Sequence, residues 1–387
     1  MKIALYSPPA FRDMIIPLVN ELCKEHEVFL TIENHGEEKV SVWGTENFYM
    51  GSLFSNVQSD VNNFMGKDLL RILDKRVKVA ILNYRSIKIA NPLRYLSTYL
   101  LLKYFRKVNP DVIDFHGLHG IFVMPFLAHF TKVLTLHDPI PHSGEFGGYG
   151  DKIHRRLGMA YADCIIVHDK KSAECISQKY RHLGNKITTV YLGVNLIYRY
   201  WLSSETKEED TTILFFGRIS PYKGIEYLIK AEPLVTRLIP NLKIIIAGRG
   251  DFSKYQTMIA HQNRFEIYNQ YIPNKFTAEL FQRASCVVLP YIDATQSAVL
   301  MTAYAFNKPV IVTDVGGLSE VVDDCKTGLV IPSQDETALA LAIAKLLNDK
   351  ELRQKMKSNI KKKIQTEFSW THIARQIIEA YENAIRN

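Results

Sequence analysis

At 387 residues the chain is longer than a single hydrophobic core usually supports, which predicts two domains of ordinary size. With 47% hydrophobic and 23% charged residues, no low-complexity tract and no short-period repeat, the composition excludes a disordered or fibrous protein. The formal net charge of +8 is concentrated between residues 61 and 107, where eleven Lys and Arg stand against Asp68 and Asp74, so its location says more than its size.

The first predicted element, 2–6, is a short apolar strand cut off by Ser7-Pro8-Pro9, too short for the core of a signal peptide. Strands follow at 27–32, 77–83, 112–115, 132–136, 164–167 and 188–191, alternating with amphipathic helical stretches as in parallel sheets covered by helices. The longest apolar run, 121–130, is about half the length of a membrane span. Five scattered cysteines (Cys23, Cys164, Cys175, Cys286, Cys325) form no C-x-x-C pair, which predicts a reduced, cytoplasmic setting without a zinc site.

Two strands of this first half end in histidine pairs, His116 with His119 and His137 with His142. Imidazoles at strand ends suit hydrogen bonds to sugar hydroxyls, because the neutral ring offers one donor and one acceptor. Their irregular spacing does not fit a metal site, and no D-x-D sequence occurs to bridge a diphosphate through a cation. Between the strands at 77–83 and 112–115, residues 85–107 mix Arg85, Lys88, Arg94, Lys103, Arg106 and Lys107 with Tyr95, Leu96, Tyr99, Leu100, Tyr104 and Phe105. That profile suits either an ordinary helix packed on the sheet or one lying on an anionic membrane.

The acidic stretch 203–210 reads as a linker, after which alternation starts afresh with strands at 212–216, 243–247, 265–268, 286–290, 309–313 and 328–330. From Glu336 the chain is helical apart from Phe368-Ser369-Trp370. Two Rossmann-like, doubly wound α/β domains are expected, 1–203 and 211–367, with a helix over 368–387 returning to the first.

The strand at 212–216 runs into Gly217-Arg218-Ile219-Ser220-Pro221-Tyr222-Lys223-Gly224 and an amphipathic helix. Gly217 permits close backbone approach, and Arg218 and Lys223 leave the carboxyl edge of the sheet where a diphosphate would lie. Alone, such a loop is most often ordinary surface. A second element, Asp293-Ala294-Thr295-Gln296-Ser297-Ala298 before the run 298–306, places small polar residues at a helix N-terminus, whose free N–H groups bind phosphate. A third, Asp314-Val315-Gly316-Gly317-Leu318-Ser319-Glu320, adds a Gly-Gly turn after the next strand. Together the three describe a nucleotide-diphosphate site.

In this order and spacing, Phe216-Gly217-Arg218 with Lys223-Gly224, then 303–310 (AYAFNKPV), then Asp314-Val315-Gly316-Gly317 with Glu320, the chain resembles glycosyltransferase family 4, retaining enzymes of the GT-B fold. The resemblance is strong over 212–335 and looser before. It implies that Arg218 and Lys223 neutralise the donor pyrophosphate, that Gly248, Gly250, Tyr271 and Ile272 flank the nucleobase, and that Glu320 and Thr302 belong to the donor side. It also implies that His116 contacts the donor sugar near the anomeric carbon and that His137-Asp138 borders the acceptor.

Two departures stand out. The family's two glutamates, with seven residues between them, fall on Ala294 and Thr302, leaving Asp293 as the neighbouring carboxylate and Thr302 as a weaker ribose contact. The family's glycine-rich first turn is replaced by Ser7-Pro8-Pro9-Ala10-Phe11, which puts Phe11 on the acceptor side.

The implied function is metal-independent transfer of a hexosyl unit from a UDP- or GDP-linked sugar to a glycan or lipid-linked acceptor in envelope polysaccharide or glycoconjugate synthesis. No separate cofactor and no nucleic acid partner are expected, and residues 85–107 would dock at the inner leaflet. The alternatives are a weak or inactive GT-B subunit supporting a partner enzyme, and a nucleotide-sugar epimerase. A phosphorylase would require a pyridoxal-bearing lysine that the sequence does not reveal.

Overall fold

The computed structural model describes residues 1–35, 52–84, 92–117, 121–139 and 149–386. The strands of the first half are β1 (Lys2–Ser7), β2 (Glu27–His35), β3 (Phe54–Ser55), β4 (Lys78–Tyr84), β5 (Val112–His116), β6 (Thr131–Leu136), β7 (Cys164–Val167) and β8 (Ile187–Thr189). They form one sheet in the order β3-β4-β2-β1-β5-β6-β7-β8, parallel except for β3. The second half gives β9 (Thr212–Phe216), β10 (Lys243–Ala247), β11 (Phe265–Tyr268), β12 (Cys286–Leu289), β13 (Val310–Thr313) and β14 (Gly328–Ile331). Their order is β11-β10-β9-β12-β13-β14, parallel throughout.

These strands lie between helices, which explains their composition. Every residue of β12 and β13 is buried, so Cys286-Val-Val-Leu and Val310-Ile-Val-Thr are apolar runs without alternation. In each sheet the order reverses at its centre, between β1 and β5 in the first and between β9 and β12 in the second. At such a reversal the connections leave in opposite directions and open a crevice beyond the carboxyl ends of the strands, where doubly wound sheets bind ligands.

The last helix, Trp370–Arg386, packs on β6, β7 and the helix Arg12–Leu22 of the first half. Its buried residues Trp370, Ile373, Ala374, Ile377, Ala380, Tyr381 and Ala384 recur every three or four positions, an apolar stripe that must be covered. The Trp370 indole donates to Val194 O at 2.8 Å, pinning the two crossing segments together.

The acidic stretch 203–210 is not a loose tether. Glu208 pairs with Lys308 (2.6 Å) and Lys357 (2.7 Å), Glu209 with Arg283 (2.6 Å), and Asp210 with Lys350 (2.6 Å), fastening it to the second half. Among the described residues no helix is long and apolar enough to cross a membrane.

Candidate functional site

The crevice of the second sheet is built by backbone that tolerates no side chain. Gly217, just past β9, has φ +124°, and Gly248, just past β10, has φ +150°; a Cβ on Gly248 would lie 1.8 Å from Gly217 O. A Cβ on Gly250 would meet Ile219 O at 2.1 Å. Gly224 (φ +66°) closes the one-turn helix Pro221–Lys223, and a Cβ there would fall 1.9 Å from Pro290 O. The loops after β9, β10 and β12 therefore interlock by direct backbone contact, and glycine is required where they touch.

This packing sets Lys223. Its ammonium lies 3.7 Å from the centroid of the buried Tyr291 ring and 4.9 Å from that of Tyr222, a cation held between two π faces. Burial pushes it below its usual pKa, while Tyr222 and Asp138 favour the charged form and Arg218 opposes it. Arg218 is exposed, its guanidinium 6.0 Å from the Tyr222 centroid. Opposite them begins the helix Ala298–Ala305, whose N-cap Ser297 accepts from Leu300 N. Val299 in its first turn comes within 3.5 Å of where a Gly217 Cβ would stand, so the helix N-terminus and the Gly217-Arg218 loop face each other across the reversal. Two cations and a helix N-terminus at one sheet edge are chemically suited to an anion.

The first half closes over this edge. Thr295 Oγ1 donates to Asp138 Oδ1 at 2.8 Å, and Gly317 N donates to Thr295 O at 2.7 Å. The buried Arg12 reaches the Tyr271 hydroxyl (3.4 Å) and Asn274 Oδ1 (3.2 Å) from the helix Arg12–Leu22, so the proline-stiffened first loop leads directly to a contact with the other half. Glu320 accepts from Lys170 N (2.9 Å), Lys171 N (3.1 Å) and the Tyr191 hydroxyl (3.0 Å), a carboxylate at the N-terminus of the helix Lys170–Lys179. Buried within this boundary, Asp169 Oδ2 and Gln296 Nε2 have no hydrogen-bond partner among the described residues. Burial also raises the pKa of Asp169.

Beneath the His137–Asp138 turn three imidazoles join. His116 Nδ1 lies 3.2 Å from His137 Nε2, His137 Nδ1 lies 3.1 Å from His168 Nε2, and His168 Nδ1 lies 2.8 Å from Val190 O. At the other end His116 Nε2 is 3.2 Å from Asp114 Oδ2, without the alignment of a hydrogen bond. Asp114 accepts from the Tyr381 hydroxyl (2.5 Å) and from Thr135 Oγ1 (2.8 Å). Phe11 stacks on the His137 ring at 3.8 Å between centroids. Burial pushes the His137 imidazole well below its usual value and His168 down to about 4. Burial alone would raise Asp114, but the His116 ring and the two hydroxyl donors outweigh it and hold the carboxyl below its usual range.

Of the residues singled out in the sequence, Gly217, Arg218 and Lys223 follow β9, Gly248 and Gly250 follow β10, and Asp293, Thr295, Gln296 and Ser297 lead from β12 into the helix that begins at Ala298. Tyr271 touches Arg12, and Ile272 belongs to the core. Thr302 is buried, donating to Ala298 O (2.8 Å) and accepting from Asn195 Nδ2 (3.0 Å), while Glu320 faces the neighbouring helix. His116 lies below the surface, and the histidine whose turn meets the Thr295 loop is His137. His119 and His142 lie outside the described residues, as do Arg85 and Lys88. Asp114, His168, Arg12 and Tyr381 were not singled out. A carboxylate in the middle of a buried strand and a third strand-end histidine were the available signals for the first two. Among the described residues no group of three or more His, Cys, Asp or Glu could hold a metal ion.

Comparison with known proteins adds to this geometry. Residues 202–363 match the family of glycosyl transferases group 1, and residues 66–197 match glycosyltransferase family 4. An uncharacterised glycosyltransferase of Methanocaldococcus jannaschii is 28% identical over 298 residues, covering 71% of this chain and 76% of that protein. In fold, the chain is similar to sucrose-phosphate synthase from Thermosynechococcus elongatus (TM-score 0.70, 18% identity, 100% and 99% of the two chains). It is equally similar to Anabaena HepE in complex with UDP-glucose (TM-score 0.70, 17% identity, 99% and 100%).

Proposed function

Because the chain belongs to the group 1 glycosyl transferases of family 4, enzymes with the two-domain GT-B fold, we propose that it moves a hexosyl unit from a UDP- or GDP-linked sugar to a glycan or lipid-linked acceptor, with retention of configuration and without a metal. The observation that carries this is the convergence of Lys223, Arg218 and the Ser297-capped helix on the reversal of the second sheet.

As the glycosidic bond breaks, negative charge accumulates on the departing diphosphate. Donors fixed in advance around it lower the barrier because they do not reorganise during the reaction. Lys223 suits this role: partly buried and set in the corner of the Tyr222 and Tyr291 rings, its ammonium gains more from an incoming anion than a fully solvated lysine would. Asp293 is the carboxylate nearest the place where the family keeps its first glutamate, now Ala294, and it serves the sugar hydroxyls. Contacts between Thr295 and Asp138 and between Arg12 and Tyr271 hold the halves together over the donor and exclude water from it.

The acceptor approaches from the Phe11 and His137-Asp138 side. A lipid-linked acceptor fits the helix Pro92–Val108, which leaves Tyr95, Leu96 and Tyr99 exposed alongside Lys103, Arg106 and Lys107. An aromatic and basic surface of this kind settles at the headgroup layer of an anionic bilayer. Replacing Lys103, Arg106 and Lys107 with Glu should abolish co-sedimentation with anionic liposomes, and unchanged binding would refute membrane docking.

One observation favours a second reading. Ala294 is buried and Thr302 is engaged with Asn195, so neither family carboxylate has a direct replacement, as in a subunit that binds donor without turning it over. A panel of nucleotide sugars incubated with lipid-linked and glycan acceptors, with products identified by mass spectrometry, separates the readings. Transfer supports the enzyme; donor binding with neither transfer nor hydrolysis supports the inactive subunit; an epimerised donor would overturn both.

A further inference from the structure

The imidazole chain under the cleft is closed at both ends by groups that only accept protons. Val190 O has none to give, so His168 donates to it through Nδ1. His168 Nε2 then accepts from His137 Nδ1, and His137 Nε2 in turn accepts from His116 Nδ1. With its Nδ1 proton committed, a neutral His116 would turn the bare lone pair of Nε2 toward Asp114 Oδ2 at 3.2 Å, a repulsive contact in a buried site. Four junctions need four protons, and three neutral rings supply three. Asp114 already accepts from Tyr381 and Thr135, the pattern of a carboxylate rather than of an acid with its own proton to place.

We propose that Asp114, His116 and His168 are positioning residues for the transfer reaction, holding His137 as its Nδ1–H tautomer beneath the His137–Asp138 turn, with one extra proton kept on His116. The proton makes His116 and Asp114 an ion pair, which anchors one end of the relay, and Val190 O anchors the other. The His137 ring is thereby fixed against Phe11, and the backbone that follows it presents Asp138 to Thr295. The titratable groups around the chain are Asp114, Tyr381 from the last helix, Cys164 from β7, Asp138 at the turn and Tyr191 after β8. The helices packed against it contribute apolar Met14, Ile15, Leu18, Trp370, Ile373 and Ile377. Loss of the proton breaks the chain at the Asp114 or the His137 junction.

The kinetic part rests on the glycosyltransferase function proposed above; the protonation part rests on the fold alone. Long-range 1H–15N spectra of the protein labelled on histidine ring nitrogens test the latter directly. The expected result near pH 7 is one buried ring protonated on both nitrogens and two neutral rings protonated on Nδ1. Three neutral rings, or His137 protonated on Nε2, would overturn it. His168→Asn, whose amide keeps the bond to Val190 O, tests the former in the variant shown to be folded by its unfolding transition. It should lower kcat about tenfold, the rate equivalent of one hydrogen bond, with little change in donor KM. Wild-type kcat would refute the positioning role. If the wild-type protein transfers no sugar from any donor, the transferase reading fails and the ring spectra still decide the protonation.

Discussion

Lys223 is where sequence, packing and chemistry meet in one side chain. The pattern of a strand, a glycine, an arginine and a lysine five residues on was legible because the loop is short and its backbone is fixed by glycines. The packing of the ammonium against both Tyr222 and Tyr291 was not, since Tyr291 arrives from the end of another strand. Lys223→Ala should reduce kcat/KM by about 10² to 10³, roughly 2–4 kcal/mol of transition-state stabilisation, in a donor-consumption assay. Near-normal turnover would remove Lys223 from the reaction. The relay of Asp114, His116, His137 and His168 was only half legible: two of its histidines close recognisable strands, but its partners come from β7, the segment after β8 and the last helix. Contacts between residues so far apart in sequence leave no local signature.

Among the elements, strands announced themselves well because a parallel strand buried on both faces must be a short apolar run. The bounds of β7, β9, β10 and β11 agree with those read from the sequence, whereas β3 escaped notice. It is a two-residue edge strand running antiparallel to β4, and Phe54-Ser55 carries no period to detect. The strand ends matter more for function, since each glycine there is fitted to a neighbouring carbonyl. Gly248→Ala should cost well over about 1 kcal/mol, because its Cβ would lie 1.8 Å from Gly217 O at a φ of +150°. A lowered denaturation midpoint together with weakened donor binding would confirm it, and unchanged stability would contradict the interlocked loops. The histidine relay makes the first domain sensitive to acid. His168 is held to about 4 in the folded chain against roughly 6.5 when unfolded, so between those values the unfolded state binds the extra proton. The His168 contribution should therefore be fully present above about pH 6.5 and be lost toward pH 4, on the order of 3 kcal/mol. Asp114, with its carboxyl held low, adds loss in the same direction. Chemical denaturation at a series of pH values would show this slope, and its absence would mean that His168 is protonated in the fold.

At the scale of the whole molecule, the carboxyl edges of two doubly wound sheets meet, and one apolar cluster together with polar contacts joins the halves. Thr295 to Asp138, Arg12 to Tyr271 and Asn274, Asn195 to Thr302, and Glu320 to the helix Lys170–Lys179 are among those polar contacts. The general architecture followed from the alternation of elements and from the motifs of the second half. The boundary did not, because it depends on which loop ends meet after both sheets have formed. Thr295→Val, which removes the hydroxyl donor but keeps the shape, should broaden the distribution of distances between spin labels placed on the two halves. An unchanged distribution would show that this contact does not govern closure.

The central claim is that the Arg218 and Lys223 edge receives the diphosphate of a nucleotide sugar. Calorimetric titration of UDP and of GDP into the wild-type protein and into Lys223→Ala measures this most directly. The prediction is that one of the two binds the wild-type protein and that the variant binds it about 10- to 100-fold more weakly, the worth of one charge-assisted contact. Equal affinity in both proteins, or binding of neither nucleotide to the wild type, would contradict the account.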